Sequence, residues 1–291
     1  PPVAMPAADS ESMPQAAAAA RRWFAASIGI AVAVLAAIAA FNAWVDPFQQ
    51  YRIPGSFPAR YYTSLHRYIV PGLAKNARYD TLLSGSSIIE NTTNSAIGKA
   101  CGGAGLNVAM PALTASEQAL IVATALAARP VARAVLVLDF NAFSGSPDER
   151  HPLAGPLPRY LYDRNPFNDF PYLLSWGVLV KSLRIFADDR SERFRMDVDA
   201  PWWWADDKRF ARDEVVKRLD VRDLNAQFQQ PPRDLAGMQE SFGRNLLPLF
   251  VAHPKTEFVL VWPPYSIVVW ADFVQRRQLD VSLDFKRWVF S

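Results

Sequence analysis

From Trp23 to Val45 the chain runs WFAASIGIAVAVLAAIAAFNAWV, with no charge and only Ser27 and Asn42 conspicuously polar. An uninterrupted apolar stretch of that length is enough to span a bilayer as one transmembrane helix. Trp23 and Trp44 stand at its two ends, where an amphipathic indole favours the headgroup region, and Arg21-Arg22 lie just ahead of the first. The basic pair predicts a cytoplasmic N-terminus, although Arg52 and Arg60 near the other end dilute the bias. A cleaved signal peptide is the rival reading, with small residues around Ala37-Ile38-Ala39 as a processing site. Its apolar stretch would normally be about 7–15 residues, so length favours an uncleaved anchor. Residues 1–22, rich in Ala and Pro, hold few large side chains to offset the entropy of ordering and are expected to be a disordered cytoplasmic tail.

Beyond the anchor, residues 46–77 are aromatic and proline-bearing without helical period, as expected of a segment leaving the membrane and wrapping a domain. The pattern then alternates between strands and helices over 78–291, which predicts an α/β domain with a parallel sheet covered on both faces. Strands are predicted at Tyr79–Ser84, at Leu106–Ala109, within Val131–Phe140 and at Glu257–Trp262. The unbroken run Ala134–Leu138 marks the third as a buried parallel strand. Helices are predicted after Gly85-Ser86-Ser87, over Glu117–Ala128 behind the capping-box spacing Thr114-Ala115-Ser116-Glu117, over Leu235–Ala252, and from Ile267 onward. Residues 145–232 lose the rhythm, carrying only a helix over Tyr172–Phe186 and the triplet Trp202-Trp203-Trp204. They read as a large insertion over the sheet edge. No internal repeat is evident.

Composition narrows this further. With 291 residues, 51% hydrophobic and 20% charged, the chain holds one full core plus appendages rather than several large domains. Its net charge of +3 comes from scattered basic residues, so no nucleic-acid partner is expected. Cys101 is the sole cysteine, which excludes an internal disulfide and a multi-cysteine metal site. A small, half-buried thiol is the plain reading of it. No two of His66, His151 and His253 have metal-ligand spacing, so neither a metal nor another cofactor is expected. His151 and His253 each neighbour a proline and are assigned no role. Phe285–Phe290 read as an amphipathic helix that continues past Ser291, so truncation is expected.

In an open α/β sheet, sites form beyond the carboxyl ends of the strands. Three such ends bear polar groups: Gly85-Ser86-Ser87, Asp139-Phe140-Asn141 and Pro263-Pro264-Tyr265-Ser266. A serine opening a helix sits where backbone N–H groups and the helix dipole stabilise a developing oxyanion, and Gly85 lets the chain turn beneath it. The rival reading is a capping box, since Ser87 and Glu90 have its spacing. Asn141 reads either as a carboxamide donor to an oxyanion or as a turn former. Trp202-Trp203-Trp204 suit sugar stacking, a membrane interface, or simple packing of the insertion.

Leu82-Leu83-Ser84-Gly85-Ser86-Ser87, Asn107-Val108-Ala109 and Leu138-Asp139-Phe140-Asn141 together resemble blocks I to III of the SGNH/GDSL hydrolase superfamily, over roughly residues 78–145 and less distinctly 235–291. With the N-terminal membrane helix and a strand ending in Pro-Pro-Tyr-Ser, the chain is similar to esterase-like proteins that assist acylation of cell-envelope polysaccharides and teichoic acids. The resemblance implies a flavodoxin-like, three-layer domain on the periplasmic side of the inner membrane. It makes Ser87 the nucleophile and one oxyanion donor through its own N–H, Asn141 another donor, and the Ala109 N–H a third in place of the usual block II glycine amide. Ser86 replaces the aspartate of the Gly-Asp-Ser form. The implied activity is that of a serine esterase or O-acyltransferase on acyl esters of an envelope polysaccharide, with that polysaccharide and a membrane acyltransferase as partners. The Asp-x-x-His of block V, which supplies the base, is missing from the sequence. Either the base lies beyond Ser291, or the chain is an inactive accessory relative that binds glycan or a membrane transferase through residues 145–232.

Overall fold

The structure, a computed structural model, describes residues 12–53, 57, 65–148, 157–187, 199, 213 and 233–291. One continuous helix, α1 (Ser12–Val45), carries the apolar stretch. It starts before the expected boundary: residues 12–22, assigned above to a disordered tail, continue the helix, as the high helix propensity of Ala16–Ala20 favours. Residues Ala17–Val45 are long and apolar enough to cross a membrane, and the side chains up to Ala37 are almost all exposed. Only from Ile38 onward does the helix begin to be covered.

The chain leaves α1 through a tight turn in which Asp46 (φ 50) and Gln49 (φ 56) are left-handed. The Asp46 carboxylate organises the turn, accepting N–H bonds from Gln50 (2.9 Å), Tyr51 (2.8 Å) and Arg52 (3.3 Å) and the hydroxyl of Tyr172 (2.8 Å). Burial raises its pKa, and these four donors oppose that rise. Arg52 donates back to the Trp44 carbonyl, a cation at a helix C-terminus.

A second helix, α2 (His66–Asn76), lies where no helix was expected. Pro71 and Gly72 conceal it in the sequence, and the surroundings repair both. Pro71 has no N–H to give the Arg67 carbonyl, and the Tyr162 hydroxyl donates to that carbonyl at 3.0 Å instead. Gly72 admits the chain leaving α1, for a Cβ there would fall 2.6 Å from the Gln49 carbonyl oxygen and closer still to that of Phe48.

The sheet has four parallel strands, β1 (Thr81–Ser84), β2 (Gly105–Asn107), β3 (Arg133–Val137) and β4 (Glu257–Val261), in the order β2-β1-β3-β4. Thr81 stands opposite both Gly105 and Arg133, and Ala134 opposite Phe258. Alternation along the strands divides the core between two faces. Leu82, Ala134 and Leu136 join the large cluster, while Leu83, Val135 and Val137 meet Ile89 and Ile97 on the other side.

Ile97 belongs to α3 (Asn94–Cys101), capped by the Thr93 hydroxyl. The large face is covered by α2, α4 (Ala115–Ala128) and α7 (Leu235–Asn245). The predicted capping box of α4 is formed, with Thr114 and Glu117 satisfying each other's backbone N–H. Glu117 also holds Arg67 of α2 in a buried fork, Nε to Oε1 at 3.0 Å and Nη2 to Oε2 at 2.8 Å. The helix predicted over 235–252 breaks at Leu246, where Pro248 starts the short α8 (Leu247–Ala252). The segment from Ile267 folds as α9 (Ile267–Gln275) and α10 (Leu279–Val289).

The predicted helix 172–186 is instead α5 (Phe170–Leu173) and α6 (Trp176–Phe186), separated where the Ser175 hydroxyl caps Val178 N. Most of the expected insertion, residues 145–232, lies outside the described residues; its longest described part, residues 157–187, packs on helices. Their contacts run to α1, α2 and α4: Thr124 Oγ1 donates to the Tyr162 carbonyl (2.8 Å), and Asn42 Nδ2 to the Leu173 carbonyl (2.8 Å).

Candidate functional site

From β1 the chain crosses to β2 on one side, and from β3 to β4 on the other, so a crevice opens between the carboxyl ends of β1 and β3. The three polar strand ends singled out in the sequence meet there, around Asp139. Its Oδ2 accepts the Ser86 hydroxyl at 2.9 Å; its Oδ1 accepts the Tyr265 hydroxyl at 2.8 Å and the Asn141 N–H at 3.0 Å. The Tyr265 oxygen in turn accepts the Phe140 N–H at 3.0 Å. Burial and the adjacent Asp139 charge push the Tyr265 pKa far up, so the phenol keeps its proton and remains a donor. Gly85 is required by packing, since a Cβ there would lie 2.9 Å from Ile89 Cδ1 and from Val137 Cβ.

Ser87 opens a 3-10 turn, Ser87–Ile89, and is exposed. Among the described residues its hydroxyl has no hydrogen-bond partner. The capping-box reading fails: Ser86 holds the cap position, and Glu90, the residue that would complete the box, lies 2.6 Å from His66 Nε2 instead. That His66–Glu90 pair is buried and is the only imidazole–carboxylate pair among the described residues. Glu90 closes the serine turn through its N–H to the Ser87 carbonyl at 3.3 Å.

Asn141 is exposed, and its Oδ1 accepts Arg233 Nη2 at 2.5 Å. This orients the carboxamide, and its Nδ2 has no partner among the described residues. Ala109 is buried, and its N–H is directed at Asn107 Oδ1 at 2.8 Å. The Asn107 carboxamide also donates to the Ile89 and Thr92 carbonyls at 2.9 and 2.8 Å, clamping the segment after Ser87 to the end of β2. Met110 N–H to the Gly85 carbonyl, at 3.1 Å, completes that tie.

Arg233 carried no signal in the sequence. Its guanidinium donates to Ser144 Oγ (3.2 Å), Ser282 Oγ (2.8 Å) and Asn141, and stacks 3.9 Å above the Phe273 ring. It is buried with no carboxylate in ion-pair contact among the described residues, and burial pushes its pKa down to about 10. His253 caps α8 at its C-terminus, while His151 and Trp202-Trp203-Trp204 lie outside the described residues. Cys101 is half-buried at the end of α3. Among the described residues no cluster of His, Cys, Asp and Glu is placed to hold a metal ion.

Fold and site together define an α/β domain with a four-stranded parallel sheet, preceded by one apolar helix. Compared with family models, curated proteins and solved structures, the chain finds no match in any of the three.

Proposed function

We propose that residues 78–291 form an SGNH-like, acyl-ester-handling domain held by α1 on the periplasmic side of the inner membrane. In this reading it is a serine esterase or O-acyltransferase working on acyl esters, foremost O-acetyl groups, of an envelope polysaccharide. Ser87 Oγ bonds to the ester carbonyl carbon while Asn141 Nδ2 and the Ser87 N–H receive the developing oxyanion. Collapse breaks the acyl–oxygen bond and expels the polysaccharide hydroxyl, which carries the proton lost by Ser87, and water or an acceptor hydroxyl then takes the acyl group from the acyl-serine. The observation that carries the reading is the Ser86–Asp139 hydrogen bond of 2.9 Å. It joins the turn after β1 to the turn after β3, with the exposed Ser87 hydroxyl on one and the oriented Asn141 carboxamide on the other. The order β2-β1-β3-β4, that of doubly wound sheets of the flavodoxin-like kind, adds support.

A second reading has its own support. The Ala109 N–H is already spent on Asn107, and the His66–Glu90 pair is buried while Ser87 is exposed. An accessory domain that binds glycan or a membrane acyltransferase without turnover fits those two facts.

The test is covalent labelling of the full chain in detergent with a fluorophosphonate probe, alongside hydrolysis of p-nitrophenyl acetate. The serine-enzyme reading expects label on Ser87, none in Ser87→Ala, and a loss on the order of 10²–10³ in kcat on Asn141→Ala, the usual effect of removing one oxyanion donor. A folded chain, expressed through its natural stop codon so that no base beyond Ser291 is left out, that neither takes the label nor turns over the ester selects the accessory reading.

A further inference from the structure

The proposed chemistry leaves one surface unused, where α1 meets the domain. α6 is apolar on both sides. Val178 and Ile185 are buried against the core, while Trp176, Leu183 and Phe186 are 75%, 49% and 53% exposed. Trp176, Val180, Leu183 and Ala187 follow one another at spacings of four, three and four, a single outward stripe. An exposed apolar stripe of this size on a helix whose other face is already buried needs a non-aqueous neighbour. Just before it, Phe167 and Phe170 expose two further rings.

The depth of this surface follows from α1. Trp23 and Trp44 are twenty-one residues apart, about 32 Å along a helix, close to the thickness of a hydrocarbon core. With Trp23 at one headgroup layer, Trp44 reaches the other. The Phe186 ring lies 5.8 Å from that of Trp44 and 5.7 Å from that of Phe41, which places the end of α6 at the same level. The exposed side chains of α1, among them Ile28, Ile30, Val32 and Leu35, extend the same apolar surface, and Arg184 adds an exposed cation beside the stripe.

We propose that α6, with the Phe167–Phe170 corner, is a membrane-docking surface whose outer stripe rests in the headgroup–acyl boundary of a lipid bilayer. The domain is thereby seated on the membrane instead of swinging from α1. The proposal rests on α1 spanning the bilayer.

The experiment places a nitroxide label at one cysteine at a time in the full chain reconstituted in phosphatidylethanolamine–phosphatidylglycerol liposomes, with Cys101→Ser as background. Trp176→Cys and Leu183→Cys probe the stripe, Val32→Cys the middle of α1, and Lys255→Cys an exposed loop. Collisions with oxygen report lipid; collisions with a water-soluble nickel complex report solvent. The expected result is oxygen-dominated relaxation at 176, 183 and 32, and nickel-dominated relaxation at 255. Nickel dominance at 176 and 183 with oxygen dominance at 32 overturns the docking surface and leaves the anchor standing. Shielding from both reagents at 176 and 183 overturns it in favour of a protein neighbour, and nickel dominance at 32 sinks anchor and docking together. A label-free arm guards against misfolded variants: brominated lipids should quench the wild-type chain more strongly than Trp176→Phe, and equal quenching counts against the proposal.

Discussion

Replacing Asp139 tests whether the three strand ends are held by one carboxylate. Asp139→Ala strips three donors of their acceptor: the Ser86 hydroxyl, the Tyr265 hydroxyl and the Asn141 N–H. Ser86 is buried and Tyr265 half-buried, and each abandoned buried donor costs about 1–3 kcal/mol. Water entering beside the exposed Asn141 relieves part of that sum, so the expected loss is about 3–5 kcal/mol. At roughly 2–4 °C per kcal/mol for a domain of this size, the Tm falls by roughly 6–20 °C. Asp139→Asn keeps the shape and an acceptor oxygen but loses the charge, and should cost only about 1–2 kcal/mol. The assay is thermal and urea unfolding of the full chain in detergent, followed by near-UV circular dichroism. Repeating it on Tyr265→Phe and on the double variant isolates the coupling, expected at about 0.5–3 kcal/mol for groups in direct contact. The reasoning fails if Asp139→Ala costs less than about 1 kcal/mol, or if its effect simply adds to that of Tyr265→Phe.

Three further outcomes can be read in the same assay. Arg67→Met leaves Glu117 buried without its cation and should cost about 3–5 kcal/mol, with much of that recovered in Arg67→Met/Glu117→Leu; a double variant no better than the single one counts against the buried fork. Gly72→Ala pushes a methyl into the backbone of Phe48 and Gln49 and should cost about 1–3 kcal/mol, whereas Gly29→Ala on the open surface of α1 should be neutral. Burial raises the pKa of Tyr79 and Tyr160 to about 12, above the ordinary value near 10 of an unfolded tyrosine. The folded state therefore holds protons that the unfolded state releases, so this contribution is complete below about pH 10 and is lost as pH rises to about 12. Absorbance at 295 nm should show phenolate appearing together with unfolding; free titration of these tyrosines near pH 10 in the folded chain would contradict their burial.

β1, β3 and β4 were legible as short apolar runs, whereas β2 (Gly105–Asn107) holds one large apolar residue and was located only in part. The unbroken run Ala134–Leu138 reads as a buried strand, and the Thr114–Glu117 spacing as a helix start, and both are formed. What escaped the sequence was set by partners distant in the chain. α2 looked unlike a helix because Pro71 and Gly72 sit in its middle, and the groups that make them tolerable, the Tyr162 hydroxyl and the chain at Phe48–Gln49, lie on other elements. The same holds at the site. The spacing of Ser87 and Glu90 predicts a cap from local geometry, yet His66, on a helix the pattern concealed, draws Glu90 away. Asn107 was noticed as a motif residue, but its work as a clamp appears only once β2 lies beside β1.

Arg233 carries this reasoning furthest. Nothing local distinguishes it, as one arginine following Pro231-Pro232. In the fold, Asn141 and Ser144 after β3, Phe273 of α9 and Ser282 of α10 converge on its guanidinium. A buried cation without an ion pair is costly, and three hydrogen bonds and an aromatic face offset that cost only if all four partners are in place together. Arg233 therefore couples the turn bearing Asn141 to the last two helices. Any disturbance of α9 or α10 should be felt at the Asn141 carboxamide before it reaches Ser87, whose turn shares Asp139 with that of Asn141 but is also clamped to the end of β2 by Asn107.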